Sequence, residues 1–406
     1  MASGRLLPGH PSEHEDAAMR TTALLLSTLL APASLTPIEP IEADQLFEIA
    51  PYVDSVAATF MDRYAVPGMA IAVVKRGQRR IFSYGVASKE SGAPVTPDTL
   101  FELGSISKTF TVTLATYSEA RGKLSMDGTV GKHLPALSGR PIGQIPLWQL
   151  ATHSGGGFPL QFPNGVRSER DAMRYYLDWN PSYPGGVRRS YANPSIALLG
   201  VITAESLGLS FEHAMEGVLF PKLGLTDTWL RVPMEGRKFY AQGYNPAGIP
   251  VRLSKGPLSD QAYGIRSTAR DLLRFVELNI SPGTDDPLLD RALLKAQVAR
   301  FKVGPMFQDL IWEQYPYPIA VEALVKGNSD DMVYNVNPTI PITTDVSQGE
   351  WLLNKTGGTS GFSSYVLFVP SRQLGIVILT NKSHPNEGRV RLAYALLQLL
   401  DRLPPP

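Results

Sequence analysis

Residues 101–110 read FELGSISKTF, and within them Ser105 stands three residues before Lys108. From Lys108 to Arg121 (KTFTVTLATYSEAR) the pattern is helical and is closed by Gly122. In the first turn of a helix, positions i and i+3 share a face, so the lysine ammonium falls within reach of the serine hydroxyl. A hydroxyl is a poor nucleophile until a neighbouring base takes its proton. The helix start adds unpaired N–H groups and a partial positive charge, both of which favour an oxyanion there. Gly104 allows close backbone approach. The same residues also fit an exposed helix start capped by serine, and the reactive reading keeps that cap as a by-product.

Working outward, Met69 to Val74 (MAIAVV), the turn Lys75 to Gln78 and Arg80 to Gly85 read as a β-hairpin. Strand signals return at Trp351 to Asn354, Ser364 to Val369 and Gly375 to Thr380, and an apolar-periodic helix follows from Arg389 to Leu400. Between them, helices mix with Gly/Pro-rich loops. Strands at both ends with helices between predict an α/β fold: an antiparallel sheet built from the two chain ends, flanked by terminal helices, with a mainly helical insertion. The expected division is an α/β lobe from residues 34–100 and 300–406, a helical lobe from 101–299, and an active site between them.

Composition limits the function classes. With 406 residues, 43% apolar and 18% charged, the chain can build a large core and is not a disordered sequence. The net charge is +1 and the basic residues are scattered, so no nucleic-acid partner is expected. There is no cysteine, which removes disulfides and thiolate metal sites. The six histidines show no metal-binding spacing. Met19-Arg20, the apolar run ALLLSTLLA (23–31) and Ala31-Pro32-Ala33 form a secretory leader pattern, with residues 1–18 an upstream extension if Met19 is the true start. The expected mature protein is periplasmic, monomeric and without stable membrane association.

Ser105 to Lys108 is the only S-x-x-K in the chain, Tyr191-Ala192-Asn193 the only Y-x-N, and Lys355-Thr356-Gly357 the only K-T-G. Tyr191 alone could be a core residue and Lys355 a solvated strand end. All three together, in this order, point to one shared site. There is no G-x-S-x-G, which sets aside the unrelated α/β-hydrolase arrangement.

With these motifs in place, the chain resembles the class C serine β-lactamases, within the larger group of penicillin-recognising serine enzymes. The likeness extends through LATHSGGGFPLQ (150–161), SYANPSIALLG (190–200), QAYGIRST (261–268), NKTGGTSGFSSYVLFVP (354–370) and NKSHPNEGRV (381–390). The resemblance implies that Ser105 attacks a β-lactam carbonyl and forms an acyl-enzyme, while Lys108 and Tyr191 share the proton work. Tyr191 would act as a phenolate favoured by the surrounding lysines, and which of the two is the acylation base stays open. Lys355 would steady the Tyr191 oxygen and attract the substrate carboxylate. The backbone N–H groups of Ser105 and Gly358 would form the oxyanion hole. Gln161 and Asn193 would bind the substrate's amide side chain, Tyr263 would wall the pocket, and Thr356, Asn386 and Arg389 would lie near the carboxylate end. No metal or organic cofactor is required.

Departures from the family pattern fall at Gly358-Thr359-Ser360-Gly361, where added backbone freedom would loosen the hole, and in LSDQAYG (258–264). They bear on substrate range. An esterase, a D-alanyl-D-alanine peptidase and a penicillin-sensing domain are alternatives on the same scaffold.

Overall fold

Strands β1 (Gly68–Lys75) and β2 (Gln78–Gly85) form the expected hairpin. Its two turn residues, Arg76 and Gly77, have φ of 49° and 83°, the positive pair that a two-residue turn between twisted strands requires. The computed structural model describes residues 45–343 and 349–403; the leader read at residues 1–33 lies outside them.

Among the described residues, nine strands form one antiparallel sheet. The others are β3 (Phe301–Val303), β4 (Met306–Gln308), β5 (Glu313–Pro316), β6 (Ile340–Pro341), β7 (Trp351–Gly358), β8 (Ser363–Val369) and β9 (Leu374–Thr380). Their order is β6-β3-β4-β5-β7-β8-β9-β1-β2, so β1 closes on β9 with Met69 opposite Thr380 and the chain ends meet inside the sheet. Side chains of a strand alternate between faces. Met69, Ile71 and Val73 enter one core and Ala70, Ala72 and Val74 the other. Both faces are covered, which is why MAIAVV is an unbroken apolar run rather than an alternating one.

Two terminal helices, α1 (Ala50–Tyr64) and α6 (Asn386–Asp401), cover the first face. On the second lie α2 (Ser107–Ala120), α3 (Asn193–Leu207), α4 (Ser259–Tyr263) and α5 (Ala269–Ile280), with α5 directly on β9 and β1. Phe110 of α2 stacks on Phe275 of α5 at 4.0 Å between ring centroids, which ties the serine-bearing helix to the sheet through α5.

The helix expected from Arg389 begins earlier, at Asn386, and the strand expected to end at Asn354 continues to Gly358. Lys355 to Gly358 lack an apolar run that would signal a strand. Pairing with β8, from Lys355↔Val366 to Gly358↔Ser363, carries them into the sheet. The K-T-G motif is therefore held rigidly by a ladder.

Gly375 of β9 is where α5 approaches the sheet. A β-carbon there would lie 2.6 Å from Val276 Cγ1 and 3.0 Å from Val74 Cγ1. Gly375→Ala is expected to destabilise the protein by about 1–3 kcal/mol through overpacking. A lower urea midpoint at unchanged slope is the expected signature; an unchanged midpoint would show that α5 can shift at no cost.

Candidate active site

Ser105 lies in the 3-10 turn Gly104–Ile106 that runs directly into α2. Its Oγ accepts a hydrogen bond from Lys108 Nζ at 2.9 Å, and the same ammonium donates to the Ala262 carbonyl of α4, also at 2.9 Å. The capping role is not realised: neither the turn nor α2 has a side-chain cap, so the Ser105 hydroxyl remains free for chemistry. Lys108 is fully buried below the serine.

Packing between glycines joins this turn to the K-T-G strand. Gly104 has φ of 53°, and a β-carbon there would lie 2.5 Å from both the nitrogen and the oxygen of Gly358. One at Gly357 would lie 2.0 Å from the Leu103 oxygen. Ser364 Oγ donates to that same Leu103 carbonyl at 2.7 Å, pinning β8 beside the turn. Gly358 and Ser105 are thus brought together by contacts that tolerate no side chain.

Tyr191 precedes α3 and is buried. Its ring has three cations around it: Lys108 Nζ and Lys355 Nζ each at 5.1 Å from the centroid and the Arg189 guanidinium carbon at 5.2 Å. The hydroxyl makes no hydrogen bond of full geometry, yet it lies near enough to Ser105 and Lys108 for both to act on it. Burial pushes the Tyr191 phenol up, but Lys108 and Lys355 outweigh it and bring the group down to about 8. Burial brings the Lys108 ammonium down to about 8 as well, against the attraction of Tyr191. Each group acts on the other's charge, so the two belong to one coupled cluster.

One cavity of about 520 Å³ gathers the remaining positions read from the sequence. Ser105, Tyr191 and Lys355 form its reactive wall, with Thr356 and Gly358 beside them on β7. The exposed Gln161, Asn193 at the start of α3 and Tyr263 at the end of α4 also line the cavity. Asn193 is buried with its side-chain oxygen unpartnered. Asn386 and Arg389 of α6 also reach this cavity. Arg389 Nη2 donates to Asn386 Oδ1, and among the described residues the buried guanidinium has no carboxylate in ion-pair contact; burial pushes it down to about 9. Of the positions read from the sequence, Lys108 alone does not line the cavity; it reaches the site through its hydrogen bond to Ser105.

Several functional neighbours had no sequence signal. Glu313 of β5 lies 3.3 Å from Lys355 Nζ and 3.4 Å from Arg189 Nη2, and is the carboxylate in ion-pair contact with these buried cations. Arg189 also donates to Gln308 at 2.7 Å and to the Met332 carbonyl at 2.6 Å. Glu102 is buried; its carboxylate accepts from the Thr359 hydroxyl and the Tyr240 hydroxyl, each at 2.6 Å, and from Leu253 N–H at 2.8 Å. The segment after K-T-G is therefore tethered on the residue next to Gly358, which counters the looseness expected of its glycines. The FEL of FELGSISK was the only hint of Glu102, and a charged residue in a two-residue strand gives no reason to expect burial.

The sequence profile of the family described as Beta-lactamase matches residues 53–401. A protein named Beta-lactamase from Lysobacter lactamgenus is 45% identical over 346 residues, covering 85% of this chain and 90% of that one. Among solved structures, a Beta-Lactamase/D-Alanine Carboxypeptidase from Pseudomonas syringae is 47% identical with a TM-score of 0.85, covering 88% of this chain and 100% of the other. A class C beta lactamase from Rhodobacter sphaeroides is 42% identical with a TM-score of 0.83, covering 86% and 99%. Motif order, sheet topology and these likenesses agree: the chain belongs to the beta-lactamase family and is a serine hydrolase of its class C.

Proposed function

We propose that the chain opens the β-lactam ring of cephalosporins and penicillins through an acyl-enzyme on Ser105. The observation that carries this reading is a serine hydroxyl bonded to a buried lysine beside a phenol caged by cations. In acylation, the Lys108–Tyr191 pair takes the Ser105 proton as Oγ attacks the lactam carbonyl. The backbone N–H groups of Ser105 and Gly358 carry the oxyanion. Collapse breaks the C–N bond, and the departing nitrogen receives the proton that Ser105 gave up. A water then adds to the ester, the same pair accepts its proton, and Ser105 Oγ leaves as the hydroxyl.

Substrate placement follows from charge. A β-lactam bears a carboxylate, and the wall formed by Lys355, Thr356, Asn386 and Arg389 supplies two cations to it, of which Arg389 has no acidic partner among the described residues. Asn193 and Gln161 present amide groups to the substrate's amide side chain, and Tyr263 borders that side chain. Family resemblance favours cephalosporins. The working form is proposed to be a monomer. The leader pattern at residues 19–33 supports export to the periplasm; an N-terminus beginning near Ser34 in the periplasmic fraction is the expected observation.

Turnover of a chromogenic cephalosporin, followed together with intact mass, tests the activity. The parent chain should turn over many times, and Ser105→Ala should lose at least about 10³-fold in kcat and form no adduct. A persistent stoichiometric adduct on the parent chain would instead indicate a peptidase or sensor. Arg389→Ala should raise KM by about 10- to 100-fold with a smaller effect on kcat, because a hydrogen bond to a charged group contributes about 1.5–3 kcal/mol. An unchanged KM would remove Arg389 from carboxylate recognition.

A further inference from the structure

His153 belongs to no step described so far, yet it touches Tyr191 and both of its chain neighbours. It lies in the segment LATHSGGG, is buried, and has φ of 60°. Its carbonyl accepts from Ser190 N–H at 2.9 Å, and its Nδ1 accepts from Ala192 N–H at 3.2 Å. Between these two bonds its ring lies against that of Tyr191, 4.3 Å between centroids and inclined by 44°. We propose that His153 is a positioning residue that fixes the Tyr191 ring between Lys108 and Lys355, so that its hydroxyl meets the Ser105 proton.

The chemistry of the imidazole suits this role. An Nδ1 that accepts a backbone N–H must be unprotonated, so the proton is on Nε2 and the ring is neutral. The groups facing it are Arg189, Lys108, Lys355 and Tyr191. Burial and the three cations hold the imidazole well below its ordinary range, so it stays neutral wherever the enzyme works. Tyr191 then feels an electrostatic setting fixed by the lysines and not by a titrating neighbour. A phenyl ring could stack equally well, but it would leave the Ala192 N–H buried without an acceptor. The left-handed backbone at this position is one that glycine and asparagine adopt readily, which provides a pair of test variants free of backbone strain.

This inference rests on Tyr191 handling the Ser105 proton, and a folded Tyr191→Phe that keeps the parent's turnover would remove that premise separately from His153. With the premise standing, His153→Gly, which lacks both ring and acceptor, is compared with His153→Asn, whose side-chain oxygen can take the place of Nδ1. The readouts are kcat, KM and the pH dependence of kcat/KM for a chromogenic cephalosporin, with folding checked by circular dichroism. His153→Gly should lose about tenfold or more in kcat with a smaller change in KM, as expected when a reacting group is displaced. Its acidic limb should move to higher pH, because a Tyr191 less closely held by the lysines keeps its proton longer. His153→Asn should recover most of kcat and return the limb toward the parent position. Should the glycine variant not fold, the asparagine variant decides: kcat within about threefold of the parent supports the proposal, and a tenfold loss with the limb unmoved contradicts it. A folded His153→Gly with the parent's kcat and limb would overturn it, as would equal losses in both variants without movement of the limb.

Discussion

The site depends on one electrostatic arrangement: a buried phenol surrounded by Lys108, Lys355 and Arg189. Burying like charges together is unfavourable unless something of opposite sign joins them. Glu313 bridges Lys355 and Arg189, so it partly offsets the cost at the back of the site. The remaining positive potential faces Tyr191 and the cavity. It is relieved when the phenol ionises and when a substrate carboxylate arrives. The feature that makes the clustered cations costly is therefore also what suits the site to the base and anion-binding roles proposed for it.

Such an arrangement holds only if its parts cannot drift, and the fold supplies three restraints. Lys355 is carried by an interior strand paired with β5 and β8. Lys108 is fixed at both Ser105 and Ala262. The Gly104–Gly358 contact sets the serine turn against β7 with no room for a β-carbon. Helix α5, seated on the sheet through Gly375 and stacked on α2 through Phe275 and Phe110, conveys the rigidity of the sheet to the serine. The serine turn and Gly358 are thus held by backbone packing, and Lys108 by its two hydrogen bonds.

Much of this is legible in the sequence because its signals are local. Ser105 and Lys108 lie one helical turn apart, the Arg76-Gly77 turn announces its hairpin, and the apolar runs at 69–74, 364–369 and 375–380 mark the strands of the central sheet. Gathering Tyr191, Lys355, Asn193 and Arg389 around Ser105 follows from family resemblance to the motif order, since no local rule links residues so far apart. What stayed hidden is the supporting shell. Glu313 in EQYP, Arg189 in RRSY and Glu102 in FEL are charged residues on short strands, and such residues ordinarily face water. Only tertiary structure buries them against partners that are distant in sequence. The extension of β7 through K-T-G was likewise invisible, because pairing with β8, not propensity, makes those residues a strand.

If the lysine cage brings Tyr191 close to ionisation, NMR titration of the chain labelled at tyrosine Cζ will read it. With the Tyr191 signal assigned by its loss in Tyr191→Phe, the expected midpoint is about 8. Lys355→Ala should move this midpoint upward, because one of the two principal attractions is gone. A Tyr191 signal that titrates at or above the ordinary tyrosine value of about 10 would contradict the account.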